Sequence, residues 1–238
     1  ADKVVYEKSK EFLLAEGSVE ITDPKGYILK TQKASYDKKN EIISSDQDSI
    51  FTDAEGNIVT VTMFQYRLKE NLFSSVGKIK VKDINNNKYF FKEIHVDTKK
   101  KEMIGSSVSA ILDQENFGLT KESDPRFVSN DIFMSENKSD FSKGIFTICK
   151  ERKDKCPPWE LRAKKISHNK IKKIIYYENA TLRVYGVPIF FFPRFYHPDP
   201  TVKRQSGFLS PVFTNTSTTG FGVGVPYYWR MSHDKDLT

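Results

Sequence analysis

The sequence predicts an elongated all-β protein, chiefly because its first half repeats every thirty residues. Apolar and turn positions recur at that spacing in four sets: Tyr6, Tyr36, Tyr66 and Val96; Phe12, Ile42 and Leu72; Ile21, Phe51, Val81 and Ile111; Asp23, Asp53, Asp83 and Asp113. Turn-forming residues lie within each copy and polar residues lie between copies, so one copy holds two strands and two turns. Such copies bury their apolar side only by stacking, which predicts one continuous apolar interior.

Strands are favoured over helices within each copy. Residues 18–21 and 78–81 alternate polar with apolar side chains, and residues 58–62 are rich in β-branched side chains. Alternate residues of a strand share a face, so Val19 and Ile21 are expected on the interior side. The pair Ile79 and Val81 follows the same rule. An ordinary dry β-core is the alternative interpretation of these positions.

Composition limits the partners. The chain has 238 residues and a net charge of +7, which suits an anionic partner, although the lysines are scattered through turns and also fit a compositional bias. The sequence has no stripe of arginine and aromatic residues of the kind that stacks bases, so nucleic acid is not expected as a partner. The longest apolar run, 187–192, is far shorter than the roughly 20 residues of a membrane-spanning helix.

The C-terminal segment alternates differently, with a wholly apolar side. That side is formed by Phe221, Val223, Val225, Tyr227, Trp229 and Met231. The pattern is typical of a membrane β-strand with an aromatic girdle, and an amphipathic strand of a soluble sandwich is the alternative. Residues 207–215 are expected to be its hairpin partner. Two strands alone would leave backbone groups unpaired in lipid, so we expect the hairpin to be the front of a longer barrel.

Catalysis and metal binding find no support in the sequence. No glycine-rich phosphate loop or Ser-His-Asp pattern is evident, and Glu93 and Asp97 beside His95 are interpreted as outward-facing charge. We therefore expect no enzyme activity and no cofactor. The histidines are not spaced as zinc ligands around Cys149 and Cys156, so no metal site is predicted. In an oxidising compartment these two cysteines could form a local disulfide.

A family resemblance covers residues 147–231. It is carried by Cys156-Pro157-Pro158-Trp159-Glu160-Leu161-Arg162-Ala163, Asn179-Ala180-Thr181-Leu182-Arg183-Val184, Val187-Pro188-Ile189-Phe190, Arg204-Gln205-Ser206-Gly207-Phe208-Leu209 and Pro226-Tyr227-Tyr228-Trp229. In this order the motifs resemble the LptD family of lipopolysaccharide-assembly proteins, also called Imp or OstA. The repeats of residues 1–120 are similar to the OstA-type module of that family and its periplasmic relatives.

The resemblance implies a division of the chain and a function. Residues 1–186 would be a periplasmic domain, a slotted, twisted β-jellyroll of OstA/LptA-like repeats. Residues 187–206 would be a linker, and residues 207–238 would be the first strands of a truncated outer-membrane β-barrel. The function implied is transport of lipopolysaccharide to the outer leaflet of the outer membrane. Its acyl chains would pass through a slot formed by Val19, Ile21, Phe51, Ile79, Val81 and Ile111.

The resemblance also assigns roles to prolines, cysteines and partners. Pro211 and Pro226 would weaken strand pairing at a lateral gate between the first barrel strands. Cys149 would pair with a cysteine near the far end of the barrel, while a bond to Cys156 stays open. The partners implied are lipopolysaccharide, the membrane, the periplasmic bridge protein LptA and the outer-membrane lipoprotein LptE.

The first strand region, residues 4–21, is expected to expose an unpaired edge to which the bridge protein adds a strand; fraying is the alternative. Two other functions compete with transport. One is a structural β-solenoid scaffold or adhesin with a sealed core, and the other is the soluble bridge protein itself. Residues 122–146 break the repeat, and the sequence does not place them.

Overall fold

The protein is all-β in every segment that can be described. The computed structural model describes residues 1–24, 26–114, 124–149, 158–199, 202, 206–209, 212–216, 218, 220–232 and 234–238, and no α-helix occurs among them. None of the described residues forms a helix long and apolar enough to cross a membrane.

Fifteen strands make one large sheet. They are β1 (Lys3–Glu7), β2 (Phe12–Thr22), β3 (Ile28–Asp37), β4 (Ile42–Ser45), β5 (Ser49–Thr52), β6 (Ile58–Val61), β7 (Phe64–Arg67), β8 (Leu72–Lys82), β9 (Lys88–Asp97), β10 (Glu102–Ile111), β11 (Arg126–Met134), β12 (Lys138–Thr147), β13 (Trp159–Asn169), β14 (Ile174–Val184) and β15 (Val187–Pro198). Five shorter strands follow: β16 (Gly207–Phe208), β17 (Val212–Thr216), β18 (Gly220–Gly224), β19 (Tyr227–Arg230) and β20 (Asp236–Leu237).

The large sheet is an antiparallel meander in chain order. β4 and β5 are two halves of one interrupted strand, since both pair with β3, and β6 and β7 together form the next strand. The predicted all-β fold is confirmed, and the sheet is consistent with a β-jellyroll-like architecture. A β-solenoid would show parallel coils instead.

The backbone repeats every thirty residues, as the sequence predicts. Left-handed φ values occur at Glu11 (50°), Glu41 (55°), Asn71 (54°) and Lys101 (56°), one in each turn between copies. The carbonyls of the first three accept amides from the next turn along: Glu11 from Lys38 at 3.0 Å, Glu41 from Leu68 at 2.9 Å and Asn71 from Thr98 at 2.9 Å. Successive copies are therefore joined turn to turn along this side of the sheet.

The turns on the opposite side are joined by asparagine side chains. Asn57 donates to Asp53 Oδ2 at 2.7 Å, while its Oδ1 accepts the amide of Ile84 in the next copy at 3.1 Å. Asn87 repeats the arrangement with Asp83 at 2.8 Å and with the amide of Asp113, also at 2.8 Å. Each asparagine thus links two neighbouring turns.

Several strands of the repeats are bulged or interrupted near their middle. β4 and β5 are separated by residues 46–48, and β6 and β7 by residues 62–63. β2 and β8 carry bulges at the equivalent place, where Gly17 (φ 72°) and Gly77 (φ 113°) adopt left-handed conformations. A bulge bends its strand and increases the local twist.

The bend folds the sheet onto itself. Half-sheet A ends at the turns 23–27, 53–57 and 83–87, and half-sheet B ends at the turns 8–11, 38–41, 68–71 and 98–101. The ring of Phe51 in half-sheet A lies 4.8 Å from that of Phe64 and 5.2 Å from that of Phe73 in half-sheet B. One face of the sheet therefore encloses the interior.

The sheet also extends beyond the predicted domain boundary. Residues 122–146, which the sequence does not place, contribute β11 and β12 to it. The predicted linker 187–206 begins with β15, which pairs along β14 as the last strand of the sheet. The predicted hairpin after Gly207 is present: β17 pairs with β18, and β16 pairs with β19.

We predict that Asn57→Ala lowers the free energy of unfolding by about 1–2 kcal/mol, because it removes the side-chain donor to Asp53 Oδ2 and the acceptor of the Ile84 amide. Glu55→Ala is the matched control, since Glu55 lies exposed in the same turn, and it is expected to change stability by less than about 0.5 kcal/mol. Urea denaturation of the whole chain measures both. Equal stability of the two variants would contradict the linking role of Asn57.

The stability difference between wild type and Asn57→Ala is also expected to depend on pH. Burial raises the pKa of Asp53, but hydrogen bonds from Asn57 and the turn amides outweigh this effect and bring the pKa below its usual value. A carboxylate with a lowered folded-state pKa stabilises the fold above its unfolded pKa and loses that contribution as the pH falls through the folded value. The difference between wild type and Asn57→Ala is therefore expected to shrink between pH 5 and pH 2.

Candidate functional site

The candidate site is the apolar trough between the two half-sheets. Directly paired residues of antiparallel strands lie on the same face, so the register identifies the side chains that line it. On half-sheet A, one row crosses seven strands through Ile21, Leu29, Phe51, Val59, Val81, Tyr89 and Ala110. On half-sheet B, a matching row runs through Leu13, Tyr36, Ile43, Tyr66, Phe73, Val96, Met103 and Met134.

The floor of the trough lies along the bend and is dry. Val61 is fully buried, and Ile79 and Val108 are each 2% exposed. Half-sheet B contributes Phe64 and Ile94 to the same cluster. Gly105 allows close contact here, because a Cβ at that position would lie 3.0 Å from the ring of Phe91 in half-sheet A.

The first copies add hydroxyl groups to this floor. Ser49 is fully buried and donates to Thr31 Oγ1 at 3.0 Å, and Thr31 Oγ1 also lies 3.2 Å from Ser45 Oγ. Ser75 donates to the carbonyl of Met63 at 2.7 Å. These buried hydroxyls have protein partners, so they add little attraction for a ligand's polar atoms.

The mouth of the trough differs from its floor. The rows nearest the turns, including Phe51, Val81, Tyr36 and Phe73, keep intermediate exposure while the floor residues are buried. Apolar surface therefore remains open to solvent along the mouth.

The structure brings most of the predicted slot residues together. Ile79 belongs to the main cluster, and Phe51 and Val81 pack against it. Val19 is buried in a smaller cluster with Ala15 and Ala34. Ile21 shares the row of Phe51 but is 41% exposed at the open end of the sheet.

Ile111 is the exception. Ile111 pairs with Lys88 and Arg126. In the row that contains Val81, Val81 pairs with Tyr89, and Tyr89 pairs with Ala110. β8 has an extra residue at its bulge, and β10 pairs with β9 without one. A slip of one residue turns a side chain to the opposite face, so Ala110 takes the place in the row that the thirty-residue spacing assigns to Ile111.

The trough continues over strands whose role sequence reasoning missed. Phe141 packs against both the main cluster and a second cluster formed by Ala163, Ile166, Tyr177 and Ala180. β15 closes this end: the ring of Phe195 stacks on Tyr177 with a centroid distance of 4.4 Å. The aromatic content of residues 187–198 is the sequence feature that indicates a packed strand here, although the family resemblance implies a linker.

Two titratable groups lie within this second cluster. Burial raises the pKa of Tyr177 far above its ordinary value, and its hydroxyl lies 2.8 Å from His197 Nε2. Burial also lowers the pKa of His197. Near neutral pH this pair of side chains is therefore expected to be an uncharged imidazole beside an un-ionised phenol.

A chain of hydrogen bonds crosses the outer face of half-sheet B. Ser74 Oγ lies 3.0 Å from His95 Nδ1, and His95 Nε2 lies 2.9 Å from Glu93 Oε1. Ser74 borders a groove of about 560 Å³ that also contacts Leu14 and Met63. The side chains of His95 and Glu93 are 42% and 46% exposed. This row of hydrogen bonds is therefore in contact with water, whereas an activated nucleophile needs a desolvated setting.

The other predicted sites fall partly outside the described residues. Cys149 forms no disulfide with another described residue, and Cys156 lies outside them, so the disulfide stays a prediction. Pro211 also lies outside them. Pro226 lies in the gap between β18 and β19, where its carbonyl accepts the amide of Leu209 at 2.9 Å. Among described residues, no three His, Cys, Asp or Glu side chains are placed to hold a metal.

The hairpin presents a continuous apolar surface. The six side chains predicted to share one side are all exposed, from 36% for Val223 to 65% for Phe221. Trp229 is 50% exposed, and Met231 at the end of this row is 57% exposed.

Fold and site together define a class of protein: a β-jellyroll-like sheet of repeated units with an apolar trough, followed by a hairpin with an exposed apolar side. Part of the chain is similar to curated proteins of one family. The chain is 41% identical over 87 residues to LPS-assembly protein LptD of Shewanella sp. (strain ANA-3), a match covering 35% of this chain and 11% of that protein. These matches support its membership of the LptD family.

Further relatives agree. LPS-assembly protein LptD of Pseudomonas putida (strain W619) is 37% identical over 95 residues, covering 40% of this chain and 10% of the relative. LPS-assembly protein LptD of Acidovorax sp. (strain JS42) is 33% identical over 109 residues, covering 44% of this chain and 13% of the relative. The chain thus spans about a tenth of the length of these relatives. No family model matches it.

Proposed function

We propose that this chain takes part in lipopolysaccharide assembly, as the names of its relatives suggest, and that its trough carries the acyl chains of lipopolysaccharide. The observation that carries the proposal is the continuous apolar trough from β2 to β15 with its partly open mouth. No catalytic group is required for this role.

The energetics favour acyl chains as the ligand. Each CH₂ group removed from water contributes about 0.8 kcal/mol, so a few groups contribute more than the polar floor hydroxyls can. Because apolar contact is not directional, a chain can slide from one copy of the repeat to the next without breaking specific bonds.

Aromatic contacts across the trough are the obstacle to such a ligand. Phe51 meets Phe64 and Phe73 edge to face, and each such pair is worth about 0.5–1.5 kcal/mol beyond its buried area. Inserting about four CH₂ groups recovers roughly 3 kcal/mol, enough to displace both contacts. A scaffold with a sealed core, which these contacts favour, would instead keep them closed.

The hairpin is proposed to begin an outer-membrane barrel with its apolar side in lipid, and residues 1–186 to lie in the periplasm. Pro226 cannot donate a backbone hydrogen bond, and the ladder is interrupted where it lies. This supports a role for Pro226, with Pro211, in a lateral gate through which lipid leaves. LptE is the proposed barrel partner.

The other end of the sheet is proposed to receive lipid from the bridge protein LptA. β1 is a terminal strand that pairs only with β2 among the described strands, and all five of its residues are exposed. A terminal strand of this kind offers backbone groups for strand addition.

We predict that a photoreactive residue at Phe51, Phe73 or Val81 crosslinks to lipopolysaccharide. Ile50, Ser74 and Lys80 are matched controls, because each is the chain neighbour of a tested residue and lies on the opposite face. Labelling is measured by the mobility shift of the chain after irradiation. Labelling of the controls alone, or of neither set, would support a sealed scaffold.

We predict that Pro226→Ala slows delivery of lipopolysaccharide to the cell surface by about fivefold in the full-length protein. The new donor adds a hydrogen bond worth about 1 kcal/mol to the closed seam. Pro193→Ala is the control, because Pro193 is exposed on β15. This variant is expected to deliver lipopolysaccharide at the normal rate. An unchanged rate for Pro226→Ala removes Pro226 from the gate.

We predict that photoreactive residues at Val4 and Tyr6 crosslink to purified LptA, since both lie on the terminal strand β1. Val128 and Ile104 on inner strands of the sheet are controls with comparable exposure, between 47% and 57%. Crosslinks through the controls but not through β1 would refute strand addition at this edge.

A further inference from the structure

The two lips of the trough carry opposite charge. The turns that end half-sheet B and its continuation, 8–11, 38–41, 68–71, 98–101 and 170–173, are here called the basic lip. They contain eleven lysines and three glutamates. The turns 23–27, 53–57 and 83–87 on the other lip contain four carboxylates and one lysine.

The turns of the basic lip are held in place by backbone hydrogen bonds. Its first four turns are joined by the backbone hydrogen bonds described above. Further along, Lys170 donates its amide to the carbonyl of Asn137 at 3.0 Å, and Asp199 donates to the carbonyl of Lys173 at 2.9 Å. Neighbouring turns are two strands apart, so each copy places ammonium groups about 10 Å from those of the next.

Much of this positive charge is available to a ligand. Lys38, Lys99 and Lys101 have no carboxylate within 4 Å among the described residues. Lys10, with its side chain 70% exposed, pairs with Glu7, and Lys69, 59% exposed, pairs with Glu41 at 3.8 Å. Exposed pairs of this kind contribute at most about 1 kcal/mol, so an anion of higher charge can compete for them.

The lysines lie directly beside the apolar mouth. Tyr36 and Ile43 flank the turn 38–41, and Tyr66 and Phe73 flank the turn 68–71 in the same way. An amphiphile whose acyl chains lie in the trough would therefore hold its head group next to ammonium groups on one side and next to carboxylates on the other. Charge complementarity selects an anionic head group that turns toward half-sheet B.

We propose that the basic lip binds the phosphate groups of the lipid whose acyl chains occupy the trough, and so fixes the orientation in which that lipid moves from copy to copy. The proposal rests on the proposed function, because it needs acyl chains in the trough. It adds the class of head group, a phosphorylated sugar, and the side of the trough on which that group lies.

The test compares two probes on the whole chain: phosphorylated lipid A and the same lipid after enzymatic removal of its phosphates. The test variant is Lys38→Gln/Lys69→Gln/Lys99→Gln on the basic lip. The matched control is Lys30→Gln/Lys80→Gln/Lys92→Gln, which removes the same charge from exposed strand positions away from the turns. Dissociation constants are measured by thermophoresis at low and at physiological salt.

We expect the basic-lip variant to bind phosphorylated lipid A roughly tenfold more weakly than wild type, from three exposed charge interactions of about 0.5 kcal/mol each. Both variants should bind the dephosphorylated lipid as wild type does. If wild type binds both probes equally, or if the control weakens binding as much as the basic-lip variant, the proposal is overturned while the trough stands. If wild type binds neither probe, the proposed function fails and the basic lip fails with it.

Discussion

The bend across the middle of the sheet is the constraint on which the rest of the structure depends. A flat meander would leave one apolar face of the sheet in water, and hydration of that face opposes folding. Bulges at Gly17 and Gly77, and the breaks within the paired strands between them, fold the face inward instead. The same bend creates the floor, the mouth and the two lips, so trough and fold have a single physical origin.

The two rows of turns hold the copies in register by different means. On the basic lip, backbone carbonyls of residues in left-handed conformations accept amides from the next turn, so the links between these turns do not use the lysine side chains. On the other lip, the side chains of Asp53 and Asn57 form hydrogen bonds within and between turns. Neighbouring turns are thus linked by the backbone on one lip and by side chains on the other.

The thirty-residue spacing made the strands, turns and shared interior of the first half predictable. Strand alternation and turn residues are local features, and the spacing repeats them from copy to copy. Ile111 shows the limit of that method, since one missing bulge residue shifts the register without any mark in the spacing. β11, β12 and β15 were not recognised as strands of the sheet for a different reason. Their pairing is decided by the strand beside them, and β15 is apolar over a length that also fits a linker.

A trough differs from a core in how burial is distributed, and the distribution here is graded. Val61 and Ile79 at the bend are inaccessible, while Phe51 and Val81 in the next row stay partly exposed. Aromatic contacts from Phe51 cross the trough at that height, and such contacts are weak relative to the burial of a short hydrocarbon chain. A protein selected for stability alone gains by covering that remaining apolar surface. Its persistence along the mouth, beside a row of lysines, supports the proposal of an amphiphilic ligand.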